Sequence, residues 1–309
     1  MTMPASLAEG RPYEHQTVMA AEVVRFIEPR PGGVYLDVTA GAGGHSAALL
    51  EACPTARIVA LDRDPLAIEA ARARLEPHSA RALVEKARFS EAERVLREAG
   101  IGLLDGLIAD LGVSSPQLSD PERGMSFRLE GPLDMRMDPS SGETALELIM
   151  SLTQDELADV IYELGEERRS RRVARCIKQA LAQHELSTTL DLRRAVVRAV
   201  GPHRVGGIDP ATRTFQALRM AVNSELIELK ALLGMAPKLL APGAPAVVIS
   251  FHSLEDRIVK HSFAERQIWT RLTPKPLIPS SVEQENNPRA RSAKLRAARL
   301  VEPSVQALP

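Results

Sequence analysis

Cysteine is nearly absent from this chain. Its 309 residues hold two, Cys53 and Cys176, far apart and outside any CxxC pair. That excludes a disulfide framework and a cysteine zinc site, and it implies a reducing compartment. No stretch approaches the ~18 consecutive apolar residues of a membrane span. The opening MTMPASLAEG has no basic start leading into an apolar segment, so a soluble, cytoplasmic protein with no membrane partner is expected. Internal repeats and low-complexity tracts are missing too. Charge of one sign is not in excess: 39 Lys and Arg face 40 Asp and Glu, a net of −1, which excludes attraction of the whole molecule to a polyanion. What remains is ordinary globular composition, 44% hydrophobic and 26% charged, with length enough for one large α/β domain carrying a smaller insert.

The run VYLDVT (34–39) reads as a buried strand that ends in the glycine turn Gly41-Ala42-Gly43-Gly44 before an alanine- and leucine-rich helix. RIVALD closes on Asp62, and a helix follows with Pro65 at its first position. RALVEK with EAERVLREA, and then DGLIADLG ending on Asp110, continue the alternation. Alternating strands and helices predict a doubly wound, mostly parallel sheet. From about Gly112 to Pro210 no strand pattern occurs. Thr153 and Glu156 are spaced as a capping box opening a helix that Gly165 closes, and DLRRAVVRAV reads as a further helix before Gly201. A long helix capped by Asp209, with Pro210 first, leads to the strand PAVVISF (245–251). A parallel crossover needs only a dozen or so residues, so the surplus reads as an inserted all-helical domain. The expected division is 1–118 and 210–309 for the two parts of the α/β domain and 119–209 for the insert. Residues 272–288 read as loop, and KLRAARLVE as a strand on the sheet edge.

The glycine turn presents backbone N–H groups and a helix N-terminus to a polar ligand end. Asp62, at the tip of the second strand, is placed for the two hydroxyls of a ribose. The dinucleotide fingerprint wants a third glycine where this chain has Ser46. A pyrophosphate is disfavoured, and S-adenosylmethionine, which presents an amino-acid end to the turn, fits better. Asp110 leads into LGVSSPQL, where Ser114, Ser115 and the carbonyl before Pro116 can hydrogen-bond an exocyclic amine, or can form a plain serine and proline turn. Asp134, Arg136 and Asp138 alternate in a segment that reads as a loop network or an RNA contact, and Ser253 with Asp256 is spaced as a capping box beside His252. Arg168, Arg169, Arg171, Arg172 and Arg175, then Arg193, Arg194, Arg198 and Arg204, form a patch suited to phosphates, or a solvated helix face balanced by Glu163, Glu166 and Glu167.

The segments TAGAGGHS, LDRDP, DLGVSSPQL, ERGMSF with GPLDMRMDP, ATRTFQALRMAVNSEL, SFHSLEDRIVK and NPRARSAKLRAA, taken together and in this order, resemble the bacterial ribosomal RNA small-subunit methyltransferase H family. The resemblance spans nearly the whole chain. It implies a Rossmann-like class I methyltransferase fold with a helical insert, S-adenosylmethionine as cofactor, and 16S ribosomal RNA or the small ribosomal subunit as partner. The reaction implied is methylation of a cytosine N4 in the decoding region. Cofactor contacts implied by the resemblance fall on Gly43, Gly44, His45, Asp62, Phe89, Asp110 and Gln117, with Phe89 near the adenine.

Methyl transfer from a sulfonium is a direct displacement that needs alignment and no metal. Holding the N–H groups of a delocalised cytosine amine is the role expected of Ser114, Ser115 and Pro116 as the catalytic segment. The base must leave its stack, with the insert arginines on flanking phosphates. An NAD-dependent oxidoreductase and a cofactor-binding RNA-interaction module without catalysis remain as alternatives, and the oligomeric state, homodimer included, is left open.

Overall fold

The computed structural model describes residues 17–202 and 209–302. In chain order its elements are α1 (Ala20–Ile27), β1 (Val34–Asp37), α2 (Gly44–Ala52), β2 (Arg57–Asp62), α3 (Pro65–Leu75), β3 (Ala82–Lys86), α4 (Ala92–Glu98), β4 (Gly106–Asp110) and α5 (Ser115–Ser119). Then come α6 (Ala145–Ser151), α7 (Gln154–Gly165), α8 (Ser170–Ala182), α9 (Thr189–Val200), α10 (Thr212–Val222) and α11 (Glu225–Leu239). The chain returns to the sheet with β5 (Pro245–Ser250), α12 (Ser253–Ser262), β6 (Trp269–Arg271), α13 (Ser281–Asn286) and β7 (Lys294–Leu300).

The seven strands lie in the order β3-β2-β1-β4-β5-β7-β6. β1 to β5 are mutually parallel, and β7 runs antiparallel between β5 and β6. KLRAARLVE is therefore an interior strand and not the sheet edge; the three-residue β6 takes the edge, and Ala297 and Ala298 of β7 are almost wholly buried. Strand periodicity of two sends neighbouring residues to opposite faces. Leu36, Val59, Leu107 and Ala246 pack against α4, α11 and α12, while Tyr35, Ile58, Ile108 and Val247 pack against α1, α2 and α3. Helices thus cover both faces of a doubly wound sheet. The order reverses between β1 and β4, and ligands of such sheets bind outside the carboxyl ends at that point.

Between β4 and β5, among the described residues, no strand forms in the helical stretch. Helices α6 to α10 enclose a separate apolar core that includes Leu148, Ile161, Ile177, Val196, Phe215 and Leu218. The long helix expected before β5 is two helices. α10 belongs to the insert's core, and the chain breaks at Asn223 and the left-handed Ser224 (φ 53°) before α11 joins the sheet. The helical unit thus runs to Asn223, beyond residue 209. Asp209 does not cap the helix at Pro210; its carboxylate accepts from Ala211 N at 3.0 Å ahead of a helix that starts at Thr212.

The Thr153 and Glu156 capping box forms as its spacing suggests. Gly165, however, is the last helical residue, and the left-handed terminator is Glu166 (φ 51°). Glycine is needed there for a close crossing, since a Cβ at 165 would sit 2.7 Å from the Arg213 carbonyl oxygen on α10. Gly165→Ala is expected to destabilise the protein by about 1–3 kcal/mol in urea unfolding, although alanine is the better helix former. The box expected from Ser253 and Asp256 is displaced by one residue. His252 is the cap, its Nδ1 accepting from Glu255 N, and Glu255 accepts in turn from Phe251 N. Ser253 instead donates to Glu166 at 2.6 Å, and Asp256 pairs with Arg296 of β7 at 2.7 Å.

Candidate functional site

Two adjoining clefts open at the carboxyl ends of the strands. The first holds about 890 Å³ of open space and is lined by residues that follow four strand tips: Val38 and Thr39 after β1, Asp62 at the end of β2, Asp110 at the end of β4 and Phe251 after β5. Gly41, Phe89, Ser114 and Gln117 also line it. Asp62 accepts from Gly41 N at 2.8 Å with one oxygen and from Asp64 N at 2.9 Å with the other. These bonds fix the carboxylate's direction, while burial pushes its pKa up to about 6. Phe89 stands half-buried at the start of the short turn after β3.

The glycine turn sorts into lining and backing. Gly41 faces the cleft, whereas Gly43, Gly44 and His45 are buried outside its lining. Gly43 is the left-handed cap of α2 (φ 76°), a conformation glycine adopts without steric cost. His45 lies 3.3 Å from the Asp110 carboxylate. Burial works against its charge, but Asp110 and Asp37 outweigh that and hold the imidazole above its ordinary value. Ser46, at the place of the dinucleotide motif's third glycine, donates to the buried Asp37 at 2.8 Å. Asp110 keeps one buried oxygen, Oδ1, with no hydrogen-bond partner. A buried orphan acceptor at a cleft is costly unless a ligand satisfies it.

Asp110 is followed by the serine and proline segment, which forms the first turn of α5. Ser114 caps it, donating its N–H to Gln117 Oε1 at 2.8 Å and lining the first cleft. Ser115 lines the second cleft and accepts from Arg289 Nη1 at 3.0 Å. Pro116 occupies the helix start and lines neither. Gln117 is buried, and its amide donates to Asp64 at 2.6 Å. Asp64 also meets Arg123, a buried guanidinium that binds the carbonyls of Arg136 and Met137.

The second cleft, with about 1580 Å³ of open space, lies between the α/β domain and the insert. Phe127, Phe215 and Phe251 supply aromatic surface, and Phe127 meets Phe215 edge-to-face with centroids 5.5 Å apart. Gly112, Val113, Phe251 and Arg289 line both clefts. The charges divide by cleft. The first carries five acids, Asp62, Asp110, Glu225, Glu228 and Glu255, against Arg63, Arg88 and Arg289. The second carries Arg128, Arg219 and Arg289 and no acid. Sequence reading missed the three glutamates, the phenylalanines 127, 215 and 251, and Arg289, whose positions depend on the long-range return of the chain to the sheet.

Glu225, His252 and Glu255 bring three potential metal donors within 4.8 Å of one another. Chemistry disfavours that use. His252 Nδ1 already accepts a backbone N–H, so the neutral ring carries its proton on Nε2, and Glu225 is held by both Arg219 Nε and Nη2.

Other candidates resolve into structure. Asp134 binds Arg136, and Asp138 binds Lys86 and Ser140, a loop network. The arginines of the helical patch, Arg168, Arg169, Arg171, Arg172, Arg175, Arg193, Arg194 and Arg198, line neither cleft. Arg171 pairs with Asp155 and Asp159, Arg193 with Asp209, Arg194 with Asp191 and Arg198 with Glu185. Arg169 donates to the Val200 carbonyl. Among the described residues Arg168, Arg172 and Arg175 make no ion pair, and Arg204 lies outside the described residues.

A sequence profile of the MraW methylase family matches residues 12–301. The chain is 60% identical over 301 residues to the ribosomal RNA small subunit methyltransferase H of Sorangium cellulosum, covering 97% of this chain and 95% of that protein. It is 48% identical over 295 residues to the protein of that name from Acidobacterium capsulatum, covering 92% and 97%. The corresponding Synechococcus elongatus protein is 47% identical over 302 residues, covering 97% and 99%.

Proposed function

The chain belongs to the MraW methylase family, and on that premise we propose that it methylates N4 of a cytosine in the decoding region of 16S ribosomal RNA. The donor is S-adenosylmethionine, the substrate is the free RNA or the small subunit, and the compartment is the cytoplasm; among the described residues no helix is long and apolar enough to cross a membrane. The observation that carries the reading is the division of charge between two joined clefts. The donor's reacting end bears a sulfonium and an ammonium, which suit an acidic lining. Nucleic acid is a polyanion, which suits a cleft with arginines and no carboxylate.

The residues of the first cleft fit the donor. Asp62 takes the ribose hydroxyls and Phe89 lies against the adenine. The orphan Oδ1 of Asp110 accepts from the ammonium, and Gly41 offers its turn. Gly43, Gly44 and His45 act behind this surface, shaping the turn and holding Asp110. Gln117 acts by fixing Ser114. When bound, the donor supplies an electrophilic methyl group. The protein's own contribution is alignment and exclusion of water. Ser114 and Ser115 face different clefts, so the segment Ser114, Ser115 and Pro116 stands where donor and acceptor meet. There it receives the amine's N–H groups, with the proline holding the turn. The aromatic walls of the second cleft take a base that has left its stack. The α/β domain, in its parts 1–118 and from α11 onward, binds the donor, and the helical unit from 119 through α10 shapes the acceptor side.

Mass-spectrometric mapping of N4-methylcytidine in ribosomal RNA tests this. Deleting the protein is expected to remove the mark at one cytosine of 16S RNA, with wild type restoring it and Asp110→Ala failing to do so. An unchanged mark in the deletion strain overturns the assignment.

A further inference from the structure

Resting on the proposed reading, we infer that Arg128 and Arg289 form the phosphate clamp that holds the RNA backbone at the target nucleotide. The insert's arginine-rich helices, where four guanidiniums are paired to acids of the insert itself and the patch lines neither cleft, are not where this grip lies.

Three observations meet here. The second cleft has three arginines and no acid in its lining, so no carboxylate forms the wall that a negative group would meet. Arg219 lies in a bidentate pair with Glu225, with bonds of 2.8 and 2.9 Å. Arg128 is exposed in the first loop of the insert and makes no ion pair among the described residues. Arg289 arrives from the far end of the chain, in the turn after α13. It lines both clefts and donates to Ser115 Oγ at 3.0 Å. That bond orients a planar fork suited to a phosphate's paired oxygens.

The placement has a mechanical consequence. A nucleotide turned out of its stack keeps its sugar and phosphates outside the base pocket, so cationic groups must stand at the mouth of the cleft beside the acceptor segment. Arg289 is tied to that segment through Ser115, so gripping the phosphate and positioning the acceptor loop are one act. Arg128 and Arg289 lie 161 residues apart in sequence, on the insert and on the segment leading into β7, so RNA bound between them also draws the two parts of the molecule together.

Counterion release gives the test a specific readout. Each phosphate neutralised on a single strand contributes about 0.7 to the slope of log affinity against log salt, about fivefold in affinity at 0.1 M. Binding of unmodified 16S RNA from a deletion strain is measured across salt for wild type, Arg128→Gln alone, Arg128→Gln with Arg289→Gln, and the paired lysine variants. The glutamine pair is expected to lower the slope by about 1.4 and to raise the RNA KM about 25-fold at 0.1 M salt. Arg128→Gln alone, which lies outside the first cleft, is expected to lower the slope by about 0.7, with the S-adenosylmethionine Kd within twofold of wild type. The lysine pair keeps the slope and lowers kcat, because charge survives and the fork that orients Ser115 does not. An unchanged slope in the glutamine pair, or a slope that lysine fails to restore, overturns the clamp. Failure of the wild type itself to methylate the RNA would instead overturn the reading on which the clamp rests.

Discussion

Asp62→Ala is expected to bind S-adenosylmethionine at least about a hundredfold more weakly than wild type, measured by calorimetry at pH 7.5. The size follows from the bonds at stake. Hydrogen bonds to a charged group contribute about 1.5–3 kcal/mol each, and in the proposed placement a ribose presents two hydroxyls to this carboxylate. The backbone N–H groups of Gly41 and Asp64 also lose their acceptor, so the glycine turn and the start of α3 loosen together. Asp62→Asn separates charge from shape and is expected to recover part of the loss.

The same carboxylate makes donor binding depend on pH. Its pKa in the donor-free protein is pushed up to about 6 by burial, and in the proposed placement the hydroxyls bind the ionised form. At pH 5 roughly a tenth of the sites are ionised, so affinity falls by about tenfold between pH 7.5 and 5, and Asp62→Asn flattens that dependence. Stability runs the other way. A raised folded-state pKa gives a contribution that is fully present below the unfolded value near 4 and is lost as pH rises through about 6. The donor restores partners to the charged group, so its protective shift in Tm is expected to be larger at pH 7.5 than at pH 5.

The local parts of this site were legible in sequence because local chemistry fixes them. The acid at the tip of β2, the acid at the tip of β4 and the glycine turn each follow a strand whose apolar run is unmistakable, and together they imply a nucleoside-like ligand. The capping box at Thr153 was legible for the same reason, since three-residue spacing is a helix property. What could not be read was set by distant segments. Ser253 and Asp256 have the spacing of a box, yet the sites they fill are decided by Glu166 across the insert and Arg296 on β7. KLRAARL has the look of an edge strand, but β6 covers it. The long helix before β5 shows no break in its apolar pattern. It divides because Asn223 turns its side chain to the 135–137 loop, donating to Met135 O and accepting from Met137 N, both at 2.7 Å. The division of charge between the clefts is the least local feature. It needs α11, α12 and the segment before β7 in place, and no window of sequence contains it.

Arg123→Met is expected to destabilise the protein by about 3–5 kcal/mol in urea unfolding, the cost of leaving one charge of a buried pair without its partner. Arg123 is 6% exposed and Asp64 wholly buried, and their 2.9 Å contact joins three things. Asp64 donates its N–H to Asp62, accepts from the Gln117 amide and so steadies the loop that carries Ser114. Arg123 binds the carbonyls of residues 136 and 137, and the 135–137 loop is held from its other side by Asn223 at the break between α10 and α11. Asp62, the segment Ser114 to Pro116 and the helical unit therefore share one buried joint. Pairing Arg123→Met with Asp64→Asn is expected to cost less than the sum of the single changes, because neither charge is then buried alone. Additive costs would show that the two groups are satisfied separately. In that case the fold would hold the insert by its apolar contacts, and donor affinity in Arg123→Met would match wild type rather than fall with the loss of the joint.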